Sequence, residues 1–196
     1  GKFNLSKAIS KRYRSKYTPL TDEFFAHRQR ILVFTSATAE NGKSATVLGA
    51  AGSLAESGAR TLVIDADLHN PQISRSIKGL DGAVGFADWI MADQLEPTKI
   101  HSHRSGVDIM TSGSAEIEPE TVFAAPWLTA KLVQLRETYD YILIDTSPCL
   151  HNNEARSICG AYSAPMDSTI APFGVIFVTD HAAVPELLVR QSLEHI

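Results

Sequence analysis

The sequence predicts an α/β protein with a mostly parallel central sheet flanked by helices on both faces. Three apolar runs carry this reading: Ile31-Leu32-Val33-Phe34, Leu62-Val63-Ile64 and Tyr141-Ile142-Leu143-Ile144. Each run is continuous rather than alternating, the pattern of a strand covered on both faces. Helical patterns separate the runs, and strand–helix–strand units build parallel sheets through right-handed crossovers. The length of 196 residues, 44% hydrophobic and 20% charged, suits one soluble globular domain with a sizeable core.

The elements follow in order. Residues 18–25 enter a first helix, with Thr21 as its cap and Asp22 and Glu23 in the first turn. Ile31 to Phe34 is the first strand. Ala45 to Leu54 is a helix rich in Ala and Gly, which permits close packing on the sheet, and Ser57-Gly58 ends it with a left-handed glycine. The second strand, opening at Thr61, terminates in Asp65-Ala66-Asp67. Residues 70–82 are rich in turn formers. Gly85 to Met91 reads as a short helix with Trp89 in the core, and Pro126 to Tyr139 as a helix carried by Leu128, Leu132 and Leu135. The third apolar strand ends in Asp145-Thr146-Ser147-Pro148. Phe173 to Val178 is a fourth, and Ala182 to His195 a closing helix with Pro185 in its first turn.

Between the first strand and the Ala-rich helix stands Thr35-Ser36-Ala37-Thr38-Ala39-Glu40-Asn41-Gly42-Lys43-Ser44. A helix N-terminus offers unpaired N–H groups and a partial positive charge, and a loop wrapped there can hold phosphate oxygens. Gly-Lys-Ser at this junction is the core of a P-loop. Residues Thr38 to Ala45 (Thr38, Ala39, Glu40, Asn41, Gly42, Lys43, Ser44, Ala45) are therefore the expected nucleotide cradle. Lys43 is expected to stand exposed and reach the outer phosphates, and Ser44 to ligate Mg²⁺. The carboxylates Asp65, Asp67 and Asp145 end the other two strands, where ligands sit in such sheets. The fold class becomes that of a P-loop NTPase, with ATP and Mg²⁺ as cofactors.

The blocks Ala37-x4-Gly42-Lys43-Ser44, Leu62-Val63-Ile64-Asp65-Ala66-Asp67 and Ile142-Leu143-Ile144-Asp145-Thr146-Ser147-Pro148, in this order, resemble the bacterial tyrosine kinases (BY-kinases) of capsule and exopolysaccharide assembly. Asn70-Pro71, Gly85 to Ile90, Val107 to Gly113 and Tyr139-Asp140-Tyr141 extend the resemblance over residues 19–178. It implies an ATP-dependent protein-tyrosine autokinase or ATPase. Lys43, Asp65, Asp67 and Asp145 would be catalytic, Ser44, Asp67 and Asp145 would hold the metal, and Asp65 or Asp67 would accept the tyrosine proton. It also implies a membrane-embedded polysaccharide co-polymerase or activator as partner, a homo-oligomer, and a cytoplasmic place at the bacterial inner membrane.

The chain departs from the family pattern at several places. Glu40 stands where the family has glycine, and His69 where it has arginine. Ala26 and Gln29 follow Glu23 where ring-building arginines are expected. The five tyrosines (Tyr13, Tyr17, Tyr139, Tyr141, Tyr162) form no tyrosine-rich cluster. These departures support an alternative reading, a degenerate interaction module of the same pathway without catalysis. A MinD/ParA-like positioning ATPase is a third reading, disfavoured because Thr38 occupies the place of that group's extra lysine.

Charge is segregated. Residues 1–30 carry a net +6 and the remainder a net −10. Residues 1–18 are expected to form a basic arm that meets an anionic membrane surface, ahead of a single domain over 19–196. The acidic body disfavours nucleic acid. Cys149 and Cys159 make no disulfide framework, and His101 and His103 stand without other metal-type ligands.

A glutamate inside an anion-holding loop opposes phosphate. At an effective dielectric near 20, a charge a few ångströms away is worth a few kcal/mol. The expected outcome is retained but weak nucleotide binding. Replacing Glu40 with Gly should tighten ATP binding about tenfold, roughly 1.4 kcal/mol, in a calorimetric titration. Unchanged affinity would make Glu40 a bystander.

Overall fold

The computed structural model describes residues 15–27, 30–39, 41–79, 82–94, 99–114, 116–150, 152–160 and 173–179. A 3₁₀ turn at Ser15–Tyr17 leads into α1 (Thr18–His27). Then come β1 (Ile31–Ser36), α2 (Lys43–Glu56), β2 (Thr61–Asp65), α3 (Gln72–Ser76), α4 (Phe86–Met91), β3 (His101–Ser102) and β4 (Val107–Met110). The chain continues through α5 (Pro119–Phe123), α6 (Leu128–Gln134) with a 3₁₀ turn at Leu135–Glu137, β5 (Tyr141–Asp145), α7 (Glu154–Gly160) and β6 (Phe173–Val178).

The six strands form one sheet in the order β3-β4-β2-β5-β1-β6. Every pairing is parallel except the short edge pair β3–β4. The continuous apolar runs now have their reason, because successive residues feed opposite faces. Ile31, Val33, Leu62, Ile64, Ile142 and Ile144 face the core beneath α4 to α7. Leu32, Phe34, Val63, Tyr141 and Leu143 face the core beneath α1 and α2. Both cores are lined by apolar side chains, since a buried polar group there would need a partner.

α2 packs closely because its sheet side is small. Gly49 lies under the Tyr17 ring, where a Cβ would come within 2.1 Å of the ring carbon Cε2. Residues 15–18, which charge alone assigns to the arm, are thus folded against the domain. α1 also begins earlier than its cap signal suggests. Thr21 is buried inside the helix, and its hydroxyl donates back to the Thr18 carbonyl at 2.9 Å, a bond available only within a helical turn. The remainder of the basic arm and the helix expected at 182–195 lie outside the described residues.

α4 is held at both ends. At its start, Phe86 and Ala87 donate backbone N–H groups to the Thr111 and Ser112 carbonyls beyond β4. Asp88 Oδ2 accepts from the N–H groups of Gly85 and Ser114, 2.9 Å each. Gly113, at φ 99°, lies where a Cβ would meet that same oxygen at 2.5 Å. At its end, the buried Lys131 Nζ donates to the carbonyls of Trp89 and Ala92, both at 2.6 Å, neutralising orphan acceptors that a helix always leaves.

The anchor at Asp88 gives a stability test. Asp88→Ala removes a carboxylate that accepts two backbone N–H groups, and should cost about 2–3 kcal/mol. In thermal unfolding, a domain of this size should lose roughly 5–10 °C.

Candidate functional site

β1, β2 and β5 end side by side, and their polar residues form one cluster. Beyond the strands the ends remain laced together. Thr35 Oγ1 donates to the Ser147 carbonyl at 2.9 Å, Thr146 Oγ1 donates to the Phe34 carbonyl at 2.9 Å, and Cys149 N–H donates to the Ser36 carbonyl at 2.9 Å. The loop between β1 and α2 folds over this edge. Ser36 Oγ donates to the Thr38 carbonyl at 2.8 Å, and Asn41 Nδ2 donates to the same carbonyl at 3.2 Å. Gly42 enters α2 at φ 74°, in the left-handed region where glycine costs least. Glu40 lies outside the described residues.

Lys43 is the centre of the cluster. Its Nζ lies 2.5 Å from Asp145 Oδ1 and 3.7 Å from Asp67 Oδ2. The sequence suggests an exposed lysine, yet only 7% of the residue is accessible. Its pairing is the reason: a buried ammonium is tolerable when carboxylates surround it. Burial works against its charge, but Asp145, Asp67 and Asp65 outweigh it and hold its pKa above the ordinary lysine value. Asp67 is pushed up by burial, opposed by Lys43 and by the Asn70 N–H that donates to its Oδ1 at 3.0 Å.

Asp65 is brought to the same edge but turned away from the opening. It lies beside Asp145 in the β2–β5 register and is wholly inaccessible. Its Oδ2 accepts from the Ser74 N–H at 2.8 Å and the Ser74 hydroxyl at 2.7 Å. Ser74 Oγ in turn accepts the Ser112 N–H at 2.8 Å. Burial, then the neighbouring Asp145, pushes the Asp65 carboxyl up to about 7. Among the described residues, Asp65 Oδ1 and Asp145 Oδ2 are buried with no hydrogen-bond donor.

A cavity of about 130 Å³ opens over this cluster, lined among others by Ser36, Asn41, Lys43, Ser44, Asp67 and Ser147. Ala39, Gly42 and Ala45 line it as well, so most of the expected cradle surrounds one opening. Thr38 supports it through its carbonyl without lining it. Two contributors stand outside the expected cradle and strand-end carboxylates. His69 lines the cavity, and its Nε2 lies 3.4 Å from Glu154 Oε1. Glu154, at the start of α7, is buried, and its Oε2 accepts from the backbone N–H of Ser147 at 2.8 Å and from the Ser147 hydroxyl. Only an acid seven residues beyond Ser147 hinted at this, and no spacing rule marks such a pair.

Residues 29–163 match the family model described as AAA domain. The tyrosine-protein kinase YwqD of Bacillus subtilis is 27% identical over 142 residues, covering 72% of this chain and 60% of that protein. The succinoglycan biosynthesis transport protein ExoP of Rhizobium meliloti is 26% identical over 168 residues, covering 84% of this chain and 20% of that protein. The chain therefore spans less than two thirds of these relatives. Among solved structures, the kinase domain of VpsO superposes with a TM-score of 0.77 at 26% identity, covering 92% of this chain and 86% of that domain. Among the described residues no helix is long and apolar enough to cross a membrane. With a parallel sheet, a Gly-Lys-Ser loop at a helix N-terminus and a lysine set among strand-end carboxylates, the chain belongs to the AAA-domain family, as a P-loop ATPase of the bacterial-tyrosine-kinase-like kind.

Proposed function

We propose that this chain binds Mg-ATP at the loop before α2 and transfers the γ-phosphoryl group to a tyrosyl hydroxyl, as part of the control of exopolysaccharide or capsule assembly. The observation that carries the reading is Lys43, held against Asp145 and Asp67 at the N-terminus of α2. Phosphoryl transfer asks a protein mainly for positioning and charge neutralisation. The N–H groups at the start of α2 supply the phosphate cradle. Lys43 exchanges its carboxylate partners for phosphate oxygens.

The donor set fits Mg²⁺. Ser44, Asp67 and Asp145 offer hard oxygens, and among the described residues Asp145 Oδ2 has no donor to give up. Bound there, the ion would neutralise the β and γ phosphates. Asp67 is the carboxylate of its strand end that lines the cavity, which suits it to the metal shell. Asp65, whose Oδ2 is engaged by both the N–H and the hydroxyl of Ser74, supports a positioning role. It fixes α3 and the end of β4 relative to β2.

The names of the relatives support tyrosine as acceptor and polysaccharide assembly as setting. The basic arm and a membrane-embedded co-polymerase or activator complete this reading, with a peripheral position at the inner membrane and a homo-oligomer as the working state. Only the sequence departures already named favour a non-catalytic module.

Two outcomes test the site. Lys43→Met should weaken Mg-ATP binding at least about a hundredfold in calorimetric titration, a loss of roughly 2.7 kcal/mol. Because it also strands buried carboxylates, it should lower unfolding stability by about 3–5 kcal/mol near neutral pH. A variant as stable as its parent would mean that the pair is not buried in solution.

Asp65→Asn tests the positioning role through pH. The folded chain keeps this proton up to about pH 7, whereas an unfolded aspartate releases it near its ordinary value of 3.8. Stability from this group is therefore full in acid and lost as pH rises between those values. Asparagine can still accept from Ser74 and carries no charge. Urea unfolding across this window should show a parent that loses more stability with rising pH than the variant does.

A further inference from the structure

A second cavity of about 280 Å³ adjoins the nucleotide cavity, and His69 and Asn152 line both. The outer wall is α5, with Pro119, Phe123 and Ala124, and the inner wall is the start of α7, with Glu154 and Ser157. Phe123 and Ala124, with the exposed Glu120, on one side and the buried carboxylate of Glu154 on the other would suit a flat ring that carries one hydroxyl.

Glu154 has an unusual set of partners. Oε2 is taken twice by Ser147, through its N–H and its hydroxyl. Oε1 is buried and, among the described residues, accepts no hydrogen bond; the His69 ring nitrogen stands 3.4 Å from it. A buried carboxylate oxygen without a donor is costly, and an incoming O–H would relieve that cost. Burial also keeps this carboxyl above the ordinary glutamate range, against the two bonds from Ser147, and so makes it the better proton acceptor.

We propose that this second cavity receives the phosphoryl acceptor, a tyrosyl side chain, and that Glu154 Oε1, in place of the Asp65 or Asp67 that the family resemblance implies, accepts its hydroxyl proton. The proposal rests on the kinase reading above for the donor and adds the acceptor's place. In the transfer, the tyrosyl oxygen forms a bond to the γ-phosphorus as the bond from that phosphorus to the β–γ bridging oxygen breaks. The hydroxyl proton passes to Glu154, and ADP carries away the electron pair of the broken bond. His69, between the two cavities, marks where the reacting groups would meet.

The test uses the full chain saturated with Mg²⁺ and a non-hydrolysable ATP analogue, titrated with N-acetyl-tyrosinamide and N-acetyl-phenylalaninamide and followed by NMR. The tyrosine amide should bind at least about tenfold more tightly, since a site built for a hydroxyl rejects the ring lacking it. Glu154→Gln should erase that preference, because Ser147 would hold the amide oxygen and leave an N–H₂ donor in place of the acceptor Oε1. Ala124→Trp, an exposed position at the mouth, should remove binding of both amides without changing affinity for the ATP analogue. With ATP itself, single-turnover transfer to the tyrosine amide should fall at least about a hundredfold in Glu154→Gln. Equal affinity for the two amides, or no binding of either, overturns the proposal. So does loss of ATP-analogue affinity in Ala124→Trp, which would give the cavity to the nucleotide. A Glu154-dependent preference for tyrosine without measurable transfer would uphold the subsite and refute the kinase reading alone.

Discussion

The contact between the Lys43 ammonium and Asp145, 2.5 Å apart at the carboxyl edge of the sheet, sets the terms for its surroundings. Three strands deliver carboxylates or phosphate-binding backbone to the same edge, and two of those carboxylates, Asp65 and Asp145, are wholly inaccessible. Without a cation among them the cluster would hold uncompensated negative charge in a low-dielectric place. Lys43 supplies that cation from the first turn of α2, which ties the helix to β5 across the loop. The same ammonium is the natural partner of a phosphate, so stability and ligand binding draw on one group.

Around this pair, short polar side chains act as distance pieces. Ser74 links Asp65 on β2 to Ser112 beyond β4. Ser147 links the end of β5 to Glu154 on α7. Thr35 and Thr146 lace β1 and β5 beyond their last strand bonds. Each side chain satisfies a buried acceptor or donor that would otherwise be orphaned, and each fixes the spacing of two elements. A rigid rim suits a site whose chemistry depends on placing charges rather than on making covalent bonds.

The opposite face of the sheet is organised by another buried lysine with a different task. Lys131 neutralises the carbonyl end of α4, while Asp88 fixes its start. α4 holds Phe86 against Phe123 of α5, their ring centres 6.0 Å apart. α5 in turn forms the outer wall of the cavity beside the nucleotide site. Core packing on this face therefore sets the shape of a surface far from Lys131 itself.

The sequence alone determined the parallel sheet, the phosphate loop and the identity of the charged residues, because these rest on local signals. Continuous apolar runs mean strands buried on both faces, and a Gly-Lys-Ser junction means a helix start able to hold phosphate. Short and edge elements were less legible: β3 and β4 gave no independent strand signal, and α1 began three residues before its apparent cap. Only the tertiary structure decided that Lys43 is buried, that Asp65 faces Ser74 and not the cavity, and that Glu154 reaches Ser147 and His69. Those facts arise from contacts between residues far apart in sequence, or from the direction in which a side chain leaves a strand end. Lys131 makes the same point: its spacing marks one position of an amphipathic helix, but the three carbonyls that receive its protons come from another helix about forty residues earlier. Local chemistry selects the elements, and the burial of charge selects which partners they must find.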